Sequence, residues 1–125
     1  MSVRVGIDTV AVEAVREAIA DHGDRYLERV YTARERADCG GDAERLAARF
    51  AAKEAAVKAL RAGDGGLPWT ALEVVRDQSG AVDLALHGEA AELAAAAGVV
   101  DVAVSLTHEA GLATAVVVLQ TSDGS

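Results

Sequence analysis

Asp8, Arg49, Glu54, Lys58 and His108 are the residues of this chain whose types could do chemistry together. Asp8 and Glu54 offer two hard carboxylates, the protein share that Mg2+ takes when phosphate oxygens and waters complete its octahedron. The stretch "LAARFAAKEAAVKAL", residues 46–60, reads as a helix at about 100° per residue. On it Arg49 and Lys58 fall one turn to either side of Glu54, where two cations could hold phosphates beside such a metal. Gly63, Gly65 and Gly66 in "AGDGGLP" would let backbone amides approach the same anion. In "SLTHEAG" the segment Thr107–Glu109 reads as the turn between two strands, so that the Thr107 hydroxyl and the His108 imidazole could meet a phosphate or a ribose.

Each residue also has a plainer reading. Glu54 and Lys58 form an i,i+4 pair in the favourable order, worth roughly 0.2–0.5 kcal/mol on any solvated helix. A lone Asp on a strand is commonly solvated, and a histidine at a hairpin tip is commonly a surface group. Lys53 interrupts the apolar stripe of Leu46, Phe50, Val57 and Leu60. It either lays its stem along Phe50 and Val57 and lifts its ammonium to water, or reaches a carboxylate or phosphate at a cleft edge. A nucleophilic triad and a zinc site are excluded, because Cys39 lies alone in a Gly-rich linker and His22, His87 and His108 lack ligand spacing.

The elements that must position these groups follow from periodicity. Val3, Val5 and Ile7 alternate with Arg4, Gly6 and Asp8, the pattern of a half-buried strand, and this predicts Asp8 on the side away from the core. Helical spacing of Val12, Val15 and Ile19 predicts a helix over about 11–22, closed at Gly23. Thr32 and Glu35 have the spacing of a capping box opening a short helix, and Asp42 caps a long one over about 43–62. After the glycine loop, "ALEVVRD" and "AVDLALH" predict a hairpin around Ser79–Gly80. A short Ala-rich helix then leads to two last strands, "VDVAVSL" and "LATAVVVL". The order predicts an α+β domain over residues 1–120, a mainly antiparallel sheet packed against the long helix, with 121–125 a loose tail.

Composition narrows the function classes. A formal net charge of −8 argues against nucleic acid as the main partner, since phosphate neutralisation needs a basic surface. No segment approaches the roughly 18 apolar residues of a membrane span, and one unpaired cysteine fits a reducing cytoplasm. The hydrophobic residues are mostly Ala and Val, so the core packs small groups. Part of the apolar surface is therefore expected to be covered by a partner subunit.

Taken in order, "GID" at 6–8, "LAARFAAKEAAVKAL" at 46–60, the loop "GDGG", "WTALEV" at 69–74 and "SLTH" at 105–108 resemble the holo-acyl carrier protein synthases. These are the small trimeric type of 4′-phosphopantetheinyl transferase. The resemblance implies a magnesium enzyme that moves the phosphopantetheine arm of coenzyme A onto a serine of an apo acyl carrier protein, releasing adenosine 3′,5′-bisphosphate. It implies metal ligation by Asp8 and Glu54 and a phosphate contact by Lys58. Nucleotide-side contacts fall to Arg49 and His108, with Thr107, Gly63 and Gly65 beside them. It implies a homotrimer with sites at the subunit interfaces. One position departs from the family: Ala14 stands where a basic residue usually meets the carrier, leaving Arg25, Arg29, Arg34 and Arg36 as other basic contacts. A non-catalytic binding or scaffolding trimer of the same fold is the alternative.

Overall fold

A computed structural model describes residues 1–63 and 65–122. The chain runs β1 (Ser2–Ala11), α1 (Val12–His22), α2 (Asp24–Val30), α3 (Ala33–Cys39), α4 (Ala43–Leu60), β2 (Leu72–Arg76), β3 (Val82–Leu86), α5 (Gly88–Ala96), β4 (Val99–Glu109) and β5 (Leu112–Thr121). One antiparallel sheet has the order β1-β5-β4, and β2 and β3 pair separately as a hairpin. The long helix α4 packs across β1, β5 and β4. This is the expected α+β class, with antiparallel pairing throughout the described strands.

The capping chemistry read from the sequence sets the helix ends. Asp42 Oδ1 accepts from the amides of Glu44 and Arg45, satisfying two of the first-turn donors of α4. Thr32 and Glu35 form the reciprocal capping box of α3. Helix α4 ends at Leu60, two residues sooner than periodicity suggests, because Arg61 turns to a left-handed conformation at φ 58°. Helix α2 has no counterpart in the sequence expectation. Cys39 is the buried last residue of α3 rather than part of a linker.

The sidedness of β1 reverses the expectation. Val3, Val5 and Ile7 are 59–60% exposed, while Arg4, Gly6 and Asp8 face α4. The reason is steric: a Cβ on Gly6 would stand 1.9 Å from the carbonyl oxygen of Ala55, so only this strand face lets the helix lie close. Ala51, Ala55 and Ala59 complete the seam at 0–1% exposure. Alternation fixes which residues share a face, but it cannot say which face the helix covers. The outer face of the sheet is apolar in turn, since Val5 pairs with Val118 and Ile7 with Val116.

The β4–β5 turn also differs from the expectation. It is the pair Ala110–Gly111, both at positive φ, a tight two-residue hairpin. Thr107, His108 and Glu109 therefore belong to β4. At the other end β5 continues through Thr121, which pairs with Ser2, and the Ser122 amide donates to the Gly98 carbonyl, so the first two residues of the predicted tail are tied down; 123–125 lie outside the described residues.

Candidate active site

The seating of α4 on β1 joins two of the predicted site residues. Asp8 Oδ1 accepts a hydrogen bond from Lys58 Nζ at 2.9 Å, and Lys58 also donates to the Ile7 carbonyl at 3.0 Å. The Asp8 side chain is 18% exposed and that of Lys58 55%, so the carboxylate is sheltered while the ammonium can swing toward a ligand. Such a pair contributes little to stability. Glu54 stands one turn earlier on α4 and lines a cavity of about 500 Å3 with Arg29, Gly63, Gly65, Gly66 and Trp69. A Cβ on Gly66 would come 2.4 Å from the Ala62 carbonyl oxygen, so the loop's close turn needs a bare backbone there. Asp64, in the middle of that loop, lies outside the described residues.

The remaining predicted residues are elsewhere. Arg49 is 1% exposed, outside the cavity lining, and its Nε and Nη2 have no hydrogen-bond partner. His108 is paired opposite Ala113 within β4, and its Nδ1 lies 3.1 Å from Glu44 Oε2 in the first turn of α4. Thr107 pairs with Thr114, one residue along the same strand. Glu44 and Lys58 sit near opposite ends of α4, roughly 20 Å apart by helical rise. Within this chain, then, Asp8 meets Lys58 toward the C-terminal end of α4 and Glu54 lines the cavity with Gly63 and Gly65, while His108 meets the N-terminal end of α4 and Thr107, in register with Thr114 and Thr9, lies on the outer face of the sheet.

A second groove, of about 210 Å3, adjoins the first. It is lined by His22, Arg25, Tyr26 and Arg29, and Arg29 also lines the glycine cavity. Arg25 and Arg29 are one helical turn apart on α2, so the element that periodicity missed is the one that gathers this positive charge. On a chain of net charge −8, that local concentration marks a surface suited to an acidic partner.

Behind Glu54, Lys53 resolves the alternatives its spacing leaves open. It neither snorkels nor reaches the cleft: it is 0% exposed, donates to Glu35 Oε1 at 2.7 Å and to the Trp69 carbonyl at 3.0 Å, and also bonds the Leu72 carbonyl. Burial holds its pKa below the ordinary value, against the opposing pull of Glu35. Glu35 in turn accepts from the amides of Thr32 and Val74. Glu73 extends the chain of bonds outward, taking the Thr32 hydroxyl at 2.6 Å and lying 3.0 Å from His87 Nε2.

Burial tends to raise the Glu73 pKa, but the hydrogen bonds from Thr32 and His87 outweigh it and hold the carboxyl below its ordinary value. A depressed carboxylate stabilises the fold above its unfolded pKa, and that contribution is lost as pH falls through the folded value. Thermal midpoints are expected to drop as pH falls below the ordinary glutamate range, and the drop should shrink in His87→Ala, which removes one of the two bonds. An unaltered acid slope in that variant would show that Glu73 is not the group responsible.

Among the described residues there is no group of three or more His, Cys, Asp or Glu able to hold a metal. Cys39 is no nucleophile, because burial pushes its thiol up to about 11.

Comparison with known proteins gives one consistent result. The family model of the 4′-phosphopantetheinyl transferase superfamily matches residues 4–117. A holo-[acyl-carrier-protein] synthase of Chloroflexus aurantiacus is 48% identical, over 90% of this chain and 94% of its own. The synthase of an Anaeromyxobacter species is 45% identical, over 96% and 97%. Among solved structures, the Chronobacterium ammoniagenes ACPS–CoA complex superposes with a TM-score of 0.87 at 31% identity, covering 98% of this chain and 99% of its own. The Helicobacter pylori holo-[acyl-carrier-protein] synthase in complex with coenzyme A gives 0.85 at 28% identity, over 93% and 99%.

Proposed function

The chain belongs to the 4′-phosphopantetheinyl transferase superfamily, and from that premise we propose that the C-terminal half of α4, its glycine loop and β1 form the site that transfers the 4′-phosphopantetheine arm of coenzyme A to a serine of an apo acyl carrier protein. The observation that carries this reading is the contact of Asp8 with Lys58, one turn along α4 from Glu54, which itself lines a glycine-rich cavity of about 500 Å3. Adenosine 3′,5′-bisphosphate is the leaving product.

Asp8 and Glu54 are the residues that would hold Mg2+, and the oxygen-only donor pair fits that ion. When bound, the ion supplies charge neutralisation for the pyrophosphate. Lys58 releases Asp8 and turns to the pyrophosphate oxygens, where its ammonium offsets the negative charge that builds on the leaving bisphosphate. Glu54 accepts the proton of the carrier serine as its oxygen attacks the β-phosphorus. The loop amides around Gly63 and Gly65 hold phosphate oxygens without side-chain obstruction.

Arg49 is buried outside the cavity lining, so within this chain its unpartnered Nε and Nη2 do not reach a nucleotide phosphate in that cavity. His108 meets Glu44 near the opposite end of α4 and Thr107 lies on the outer face of the sheet, so neither lines this cavity within one copy of the chain. The exposed apolar face of Val3, Val5 and Ile7 supports a homotrimer, in which a neighbouring copy brings its Thr107 and His108 to this cavity. The groove of Arg25, Tyr26 and Arg29 is where the acidic carrier docks, with Arg29 linking dock and cavity. The described residues contain no helix long and apolar enough to cross a membrane, and a buried free cysteine suits action in the cytoplasm.

Incubation with coenzyme A, Mg2+ and a panel of apo carriers is expected to add the mass of one phosphopantetheine arm to a carrier. Trp69 is the sole tryptophan and lines the cavity, so coenzyme A should also change its fluorescence saturably. No mass gain on any carrier and no fluorescence response would reject the assignment.

A further inference from the structure

We propose that Lys53 is a positioning residue for coenzyme A: its buried ammonium ties down the main chain that leaves the glycine loop, and so fixes one wall of the cavity. The inference rests on the reading of that cavity as the coenzyme site.

Lys53 precedes Glu54 on α4 but is turned into the core, where it meets three oxygens, those of Glu35, Trp69 and Leu72. Two of the three are main-chain carbonyls of one short segment. Leu67, Pro68 and Trp69 line the cavity, and the chain then passes through a 3₁₀ turn at Trp69–Ala71 into β2. That turn is closed locally by two bonds, from the Ala71 amide to the Pro68 carbonyl and from the Leu72 amide to the Trp69 carbonyl, the latter an oxygen that Lys53 also binds. On the ligand side, the Trp69 ring packs on Phe50 of α4 with centroids 5.2 Å apart. The segment is thus gripped by α4 twice, through an aromatic contact and through the lysine.

A requirement for stability alone does not explain a lysine here. Replacing a buried ion pair by apolar groups of similar volume is commonly neutral or stabilising, because desolvating both charges costs as much as their attraction returns. An aliphatic side chain could fill this space but could not bind two main-chain oxygens of the loop exit. Glu35 is itself held by the amides of Thr32 on α3 and Val74 on β2, so the ammonium is fixed against two other elements before it grips the segment. The arrangement preorganises a ligand wall that a glycine-rich loop would otherwise leave to be ordered on binding, at an entropic cost.

Two variants separate this role from core stability. Glu35→Gln leaves Lys53 its bonds to Trp69 and Leu72; it should lower the thermal midpoint yet keep the wild-type KM for coenzyme A. Lys53→Met combined with Glu35→Gln removes both charges while leaving an oxygen for the Val74 amide. It should fold, raise the KM for coenzyme A about tenfold and change kcat by less than about threefold, with a weakened Trp69 fluorescence response. If that pair does not fold, Lys53→Gln takes its place with the same expected KM rise. A folded variant of either kind with wild-type KM overturns the proposal, as does failure of both to fold. Wild-type protein without transfer or a fluorescence response would instead reject the site reading beneath it, so the two failures are distinct.

Discussion

Glu54→Gln is expected to lower kcat/KM for phosphopantetheine transfer by about a thousandfold, roughly 4 kcal/mol of transition-state stabilisation, while moving thermal stability by less than about 1 kcal/mol. The substitution keeps shape and one acceptor oxygen but removes the charge that would help hold a divalent cation and the basicity that would take the serine proton. Loss of a single general base typically costs roughly 10²–10⁴-fold, and the expected thousandfold lies within that range. Asp8→Asn tests the other half of the pair. It should give a comparable loss and raise the Mg2+ concentration needed for half-maximal rate, because one carboxylate then remains. Stability should hold in both variants, since Glu54 is half-buried at a cavity and Lys58, the partner of Asp8, is 55% exposed and free to be solvated. Transfer measured by carrier mass under initial-rate conditions checks both; wild-type kcat/KM in Glu54→Gln would remove that residue from the mechanism.

The site was legible in the sequence where chemistry and helical spacing coincide, and illegible where tertiary contact decides. Glu54 and Lys58 share a helix, so their neighbourhood follows from a four-residue interval, and Asp42 and the glycine loop mark that helix's ends. The meeting of Asp8 with Lys58 depends on which face of β1 the helix covers. Hydrophobicity points to the wrong face there, because Val3, Val5 and Ile7 are left outside and the inward side carries a glycine instead. The relevant signal was the small-residue match of Gly6 to Ala51, Ala55 and Ala59. Lys53 could not be assigned at all, since its partners are a carboxylate 18 residues earlier and two main-chain carbonyls 16 and 19 residues later. Main-chain acceptors leave no trace in residue type. Helix α2 was missed for a different reason: its seven residues are too short for a clear period, although Tyr26, Leu27 and Val30 carry one. His108 was misassigned to a turn because "THEAG" reads as loop, when Ala110 and Gly111 alone make the reversal.

Gly6→Ala should be the most damaging single methyl in the protein. The added Cβ would lie 1.9 Å from the Ala55 carbonyl oxygen and 2.9 Å from the Ala59 amide nitrogen, both main-chain atoms of α4. No rotamer change can relieve that contact, so either the helix or the strand must withdraw by about an ångström along a seam already filled by buried alanines. The expected cost is about 3 kcal/mol, at the upper end of ordinary overpacking, or roughly 10 °C in thermal midpoint for a domain of this size. The same withdrawal separates Lys58 and Glu54 on α4 from Asp8 on β1, so transfer should fall about a hundredfold even at temperatures where the variant remains folded, given how steeply rate depends on ångström-scale placement. This sets Gly6→Ala apart from Glu54→Gln, which should melt as the parent does and fail only in catalysis. Calorimetry and the carrier assay on the two variants side by side test that contrast. A Gly6→Ala protein with the parent's midpoint would mean that α4 does not approach β1 this closely, and a destabilised variant with full turnover would mean that the approach does not align the carboxylates.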